Sequence, residues 1–258
     1  ATGVDWTGGI AIMNLAHQFF TWSRNITSHH KGSDFLTYDR DLPGLAFADP
    51  ETGTKKVTPW MQNLWRDDYF YLIGKLEALT APTEWFHDPE KKLLYYMPKG
   101  GVVPKNLSVK TRDYGIVARN LQHLQFEGIL LVGCAFQFTN CKHVTLSNCH
   151  VRYPNFKRRI MAVEQAEYKT NYPTASISGS HNRIENCSIQ MAGGTALSIN
   201  GRNNVMENSI IRDGCWSGSL HYSLVKLGGK DNIIRRCTIA WSGAPLIQHH
   251  GPNIIEYN

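Results

Sequence analysis

The chain has 258 residues, of which 42% are hydrophobic and 19% charged, and these proportions are those of a soluble globular protein with one or two domains. No apolar run approaches the length of a membrane span. A formal charge of +6 and a pI near 9.0 favour an anionic partner, although the basic residues are scattered and no recognised nucleic-acid module is present.

The first 60 residues carry short alternating stretches, such as Gly9 to Met13 and Phe35 to Tyr38, which predict a β-rich region. Thr58 to Gly74 mixes charges with Trp60, Trp65, Tyr69, Phe70 and Tyr71, and allows a short helix. Glu84 to Asp88 and Leu93 to Met97 flank a charged turn at Pro89 to Lys92, the pattern of a hairpin that Pro98 to Gly101 ends. Leu107 to Val109 and Tyr114 to Val117 read as further strands. A non-repeating β region over 1–111 then gives way to repeats over 112–258.

The repeat is a short phrase, Asn182-Arg183-Ile184-Glu185-Asn186-Cys187-Ser188-Ile189. It returns from Asn204 to Ile211 and from Asn232 to Ile239, and begins again at Asn253; Val144 to Val151 and Leu124 to Leu131 fit the same frame. Its fifth position reads Gly128, Asn148, Asn186, Asn208, Arg236 and Asn258, in steps of 20, 38, 22, 28 and 22 residues. Such a period means stacked units, none of which can bury its apolar face alone. Apolar positions two apart make the units strands, and helical or leucine-rich repeats do not fit. The expected fold is all-β, a right-handed parallel β-helix with about three strands per coil.

Within each coil, one strand runs to the fifth position, where asparagine suits a left-handed turn, and a second strand follows. A third strand lies at Ala175 to Ile177, Ala196 to Ile199, Leu224 to Leu227 and Leu246 to His249, closed by Gly179, Gly201, Gly229 and Gly251. The last phrase stops after Asn258 without its second strand, which points to a longer parent protein.

Cys149, Cys187 and Cys237 share a repeat position with Ser209, so they read as small buried thiols in a column and not as a disulfide framework. The triplets at Asn25, Asn106 and Asn186 match a glycosylation acceptor, but the last falls inside the buried ladder.

Tyr71 to Gly74, Leu79 to Pro82, Glu84 to Asp88 and Leu94 to Pro98, followed by the coils, resemble a group of β-helical carbohydrate-active enzymes. The group includes β-xylosidase, xylanase and fucosidase-type glycoside hydrolases that carry a β-sandwich beside the early coils. Thr83 departs from it, because glycine usually precedes the Glu84-Trp85 pair. The resemblance implies a sandwich-like region over 1–111 and a secreted or periplasmic hydrolase acting on plant or algal polysaccharide. It also implies a catalytic carboxylate in the coil after Asn258.

Enzymes on such a solenoid hold substrate in a trough over the third strand. Here that trough would be lined by Ser198, Asn200, Lys226, Gln248, His249 and His250, with Arg212, Asp213, Trp216, His221, Tyr222 and Trp241 above it. Aromatic platforms beside polar and cationic groups suit sugar rings. Glycoside hydrolysis needs two carboxylates, and Asp213 is the best local candidate; Glu185, Glu207 and Glu256 share one register and read as a solvated ladder. In the rival polysaccharide lyase, Lys226, His249 or His250 removes a proton beside a uronate carboxylate. A third reading is a non-catalytic glycan-binding or structural β-helix. No metal and no cofactor is expected: His249 and His250 lack a third ligand, and His29 and His30 lie in another region.

Overall fold

The computed structural model describes residues 3–15, 20–38, 46–48, 55–57, 69–156, 173–216 and 222–258. The chain divides into two compact units, one within residues 1–108 and the other within 109–157 and 171–258.

In the first unit, alternating apolar residues form an antiparallel sheet in the order Leu36–Tyr38, Phe20–His29, Ile10–Leu15 and Tyr69–Ile73. Ala11 and Met13 pack with Trp6 and Ile26 in a small core. The aromatic run Tyr69–Ile73 is therefore a strand, and the short helix expected around it is not formed there; residues 58–68 lie outside the described residues. Two hairpins add Ala46–Ala48 with Lys55–Val57 and, as expected, Trp85–Asp88 with Leu93–Tyr96. Leu107 to Val109 forms no strand; no neighbouring strand pairs with it, and Leu107 and Val109 are exposed.

Thr83 takes φ +76, the left-handed conformation that glycine adopts without strain. Its amide donates to the Met97 carbonyl at 2.7 Å, and the Glu84 carboxylate accepts the amides of Thr80 and Ala81 at 2.7 and 2.8 Å. Those bonds hold the Glu84 carboxyl below its usual range. A β-branched residue in this conformation costs about 1–3 kcal/mol, more than the roughly 0.5–1 kcal/mol of extra chain entropy that glycine loses. Thr83→Gly is expected to raise stability by about 1 kcal/mol in urea unfolding, and a loss of that size would contradict the reading.

The second unit is a parallel β-helix of three stacked sheets. Sheet I holds Gln125–Glu127, Thr145–Ser147, Arg183–Glu185, Val205–Glu207, Ile233–Arg235 and Ile254–Glu256. Sheet II holds Leu130–Val132, His150–Arg152, Ser188–Ala192, Ile210–Gly214 and Thr238–Ser242. Sheet III holds Tyr114–Arg119, Ala135–Lys142, Ala175–Ser180, Leu197–Arg202, Val225–Leu227 and Ile247–His249. The core is built of columns such as Leu146, Ile184, Met206 and Ile234, or Ile177, Ile199 and Leu227.

The fifth position is the left-handed turn between sheets I and II, with φ between 48 and 66 at Gly128, Asn148, Asn186, Asn208 and Arg236. In the last coil the register is one residue from that expected. Tyr257 takes the turn at φ 55, and Asn258 stands in the thiol column, where its Oδ1 accepts the Cys237 amide at 2.8 Å. Ser209 does the same for Cys187 at 3.1 Å. All six cysteines are free, and burial pushes the Cys187 thiol up to about 11.

Two features of the stack were not read from the sequence. The first position of the phrase is a buried asparagine ladder: the Nδ2 of Asn182 donates to Asn204 Oδ1 at 2.9 Å, Asn204 to Asn232 at 2.9 Å and Asn232 to Asn253 at 3.0 Å. Each Oδ1 also accepts a backbone amide from the coil before it, at 2.9 to 3.1 Å. On sheet I, Arg235 stands between Glu207 and Glu256 in the carboxylate register. Arg183 pairs with Glu185 and Glu207, and Arg235 with Glu207 at 2.8 Å, so arginines from this column and from the column beside it neutralise the adjacent glutamates.

Candidate functional site

Alternation along sheet III turns Ile199 and Leu227 into the core and leaves Ser198 and Lys226 facing outward. Parallel register then puts Ser198, Lys226 and Gln248 side by side on three successive coils. Two residues further along the strands, Asn200 and His250 close an open trough of about 340 Å³, with the backbone of Gly228 between them. Five of the six residues expected in the trough are therefore brought together. His249 is the exception, because it pairs with Leu227 and continues the inward column of Ile199 and Leu227. It is exposed because this coil is the outermost one described.

The trough is polar and cationic. Among the described residues, the side chains of Ser198, Lys226, Gln248 and His250 make no hydrogen bond or ion pair. Among the described residues, no aspartate or glutamate lines it. The positive charge of Lys226 reaches the buried thiol of Cys215, where it works against burial, which pushes that thiol up to about 11.

The loop candidates fall into separate groups. Arg212 on sheet II lies over the Trp241 ring, 5.2 Å from its centroid, and its Nε is 3.6 Å from Asp213 Oδ2. Asp213 itself sits at φ 55, and it is not part of the trough lining. Trp216 and Trp241 are exposed and can serve as stacking platforms. Tyr222 is only 5% exposed and belongs to the core, which corrects its expected place above the trough. His221 lies outside the described residues.

Sequence reasoning also missed three stacked imidazoles at His123, His143 and His181, whose centroids are 4.9 and 5.1 Å apart. Their signal was present, since each stands one residue before the first position of a phrase.

No protein-family profile, curated protein or solved structure matches this chain.

Proposed function

We propose that the protein acts on an acidic polysaccharide, and that the sheet III trough binds it and cleaves it by β-elimination. The observation that carries this reading is the Lys226 ammonium among amide and hydroxyl groups, in a trough where, among the described residues, it has no ion pair and no carboxylate is present. A cation in such a place attracts a uronate carboxylate and stabilises the anion that forms when the adjacent carbon loses its proton. In the elimination, a base takes the proton at C5, the C4–O bond to the leaving sugar breaks, a C4–C5 double bond forms, and the leaving oxygen is protonated. Lys226 serves as the charge partner, and His250 supplies an imidazole two residues from Gln248 for the proton transfers.

A glycoside hydrolase is the second reading, and Asp213, aligned with the exposed Trp241 of the next coil and three residues before the exposed Trp216, favours it. It requires a second carboxylate roughly 5 to 10 Å away. Glu185 and Glu207, on sheet I, are already held by arginines.

The test is incubation with polygalacturonate and alginate, following both reducing ends and the ultraviolet absorbance of the unsaturated product. Lys226→Gln is expected to lower kcat/KM roughly 100-fold or more. Reducing ends without absorbance, lost in Asp213→Asn and kept in Lys226→Gln, would move the assignment to hydrolysis. Binding without any product would leave a glycan-binding role.

A further inference from the structure

We propose a second binding surface, a cationic track along the turn edge between sheets III and I that takes a linear acidic polysaccharide lying parallel to the solenoid axis. Two columns build it. In the first, the rings of His123, His143 and His181 stack with interplanar angles of 3° and 7°, each residue in a left-handed turn at φ 57, 53 and 59. In the second, parallel register aligns Gln122, Lys142, Ser180, Arg202 and Lys230.

All six basic side chains are exposed. Among the described residues, Lys142, Arg202 and Lys230 make no side-chain hydrogen bond or ion pair. The histidine column continues through Asn203 to Asp231, which is the one acidic group in the two columns. This edge lies two residues beyond Asn200 and Gly228 on the same strands, so it is adjacent to the trough but formed by different side chains.

The chemistry of the track selects its occupant. Basic side chains on each of five successive coils, three of them unpaired among the described residues, attract a polymer with one anionic group per unit, and individually weak contacts multiply along its length. The step between coils, seen in the 4.9 and 5.1 Å ring separations, is close to the length of one sugar in an extended chain. His143 uses both ring faces on its neighbours and His123 and His181 one each, which leaves the nitrogen-bearing edges for sulfate or carboxylate oxygens. Single-stranded nucleic acid binds instead through open aromatic faces on which bases stack, and this column keeps its inner faces closed.

The experiment measures binding of the full chain to dextran sulfate, polygalacturonate and oligo(dT) at low and high salt. The variants are the triple change Lys142→Gln, Arg202→Gln, Lys230→Gln, the single change His143→Asn, and Lys226→Gln in the trough. Asparagine is compatible with the backbone at position 143, because Asn203 holds φ 55 in the same column. The triple variant is expected to bind dextran sulfate at least about tenfold more weakly, and His143→Asn about threefold more weakly, both with unchanged melting. Lys226→Gln is expected to lower dextran sulfate binding less than the triple change does. Were the triple variant to melt early, Arg202→Gln and Lys230→Gln separately carry the same comparison. Wild-type binding by these variants, binding indifferent to salt, tighter binding of oligo(dT), or a larger loss in Lys226→Gln would each overturn the proposal.

Discussion

Gly201→Ala is expected to lose about 4 kcal/mol or more of stability, a large share of the roughly 5–15 kcal/mol by which a domain is ordinarily stable. The glycine has φ +105, and a Cβ built there would stand 2.0 Å from the Gly179 carbonyl oxygen. The obstruction is backbone of the preceding coil, so no side-chain rotation relieves it. The same contact recurs along the stack, at 2.0 Å from Gly179 to Cys141, 1.9 Å from Gly229 to Gly201 and 2.1 Å from Gly251 to Gly229. These glycines let successive coils approach at the entrance to the turn, and a methyl group would have to push two coils apart. Two controls separate this effect from the general loss of a glycine. Gly228→Ala places its Cβ 3.1 Å from the Asn200 side chain, which can move, and is expected to cost less than about 1 kcal/mol. Gly128→Asn keeps a left-handed turn that asparagine already makes at 148, 186 and 208, and is expected to stay within about 0.5 kcal/mol. Urea unfolding measures all three, and a Gly201→Ala midpoint near that of the wild type would contradict the close-approach argument.

Asn204→Leu is expected to cost about 3–5 kcal/mol. Asn204 Oδ1 accepts both the backbone amide of Asn182 at 3.1 Å and its Nδ2 at 2.9 Å, while its own Nδ2 donates to Asn232 Oδ1. Asn182, Asn204 and Asn232 are 1, 2 and 0% exposed, so no solvent replaces a lost partner. Leucine fills the space but leaves the Asn182 amide unpaired in the core, a penalty larger than its apolar gain. Asn204→Asp keeps the acceptor and turns the donor into an oxygen facing Asn232 Oδ1. Burial and that facing oxygen raise its folded pKa above the unfolded value, so the folded state binds more protons. Its stability relative to wild type is therefore expected to recover as pH falls from about 7 to about 5, whereas the Asn204→Leu deficit stays constant. Equal deficits for both variants across that range would contradict the ladder's role.

What the sequence made legible was what the repeat enforces. Positions two apart with one apolar face assigned the three strands of each coil, because a strand of a stack has a single way to bury alternate side chains. The same alternation predicted that Ser198, Lys226 and Gln248 face outward together. Alternation puts His249 and His250 on opposite faces, and the register decides which faces inward, since His249 is in line with Leu227. Asparagine at the turn is legible because it favours a left-handed backbone, whereas at the first position the same residue type carries a buried hydrogen-bond ladder that the repeat alone does not reveal. A composition argument cannot separate those roles; only knowing which of the two faces the core does so. The three glutamates of sheet I read as a solvated ladder, but Glu207 is buried and paired with Arg183 and with Arg235, which replaces glutamate in the next coil. The loops above the trough have no period. The positions of Tyr222 in the core and of Asp213 against Arg212 therefore had to come from tertiary packing. The N-terminal unit shows the same limit, since the aromatic run at Tyr69–Ile73 is a strand only because Ile10–Leu15 offers it an edge.

The most direct measurement is incubation of the chain with neutral, uronic and sulfated polysaccharides, reading reducing ends and ultraviolet absorbance together in the wild type, Lys226→Gln and Asp213→Asn. The expected result is absorbing product from a uronic polymer alone, lost in Lys226→Gln and retained in Asp213→Asn. Non-absorbing product from a neutral glycan, lost in Asp213→Asn and retained in Lys226→Gln, would contradict the assignment of the trough.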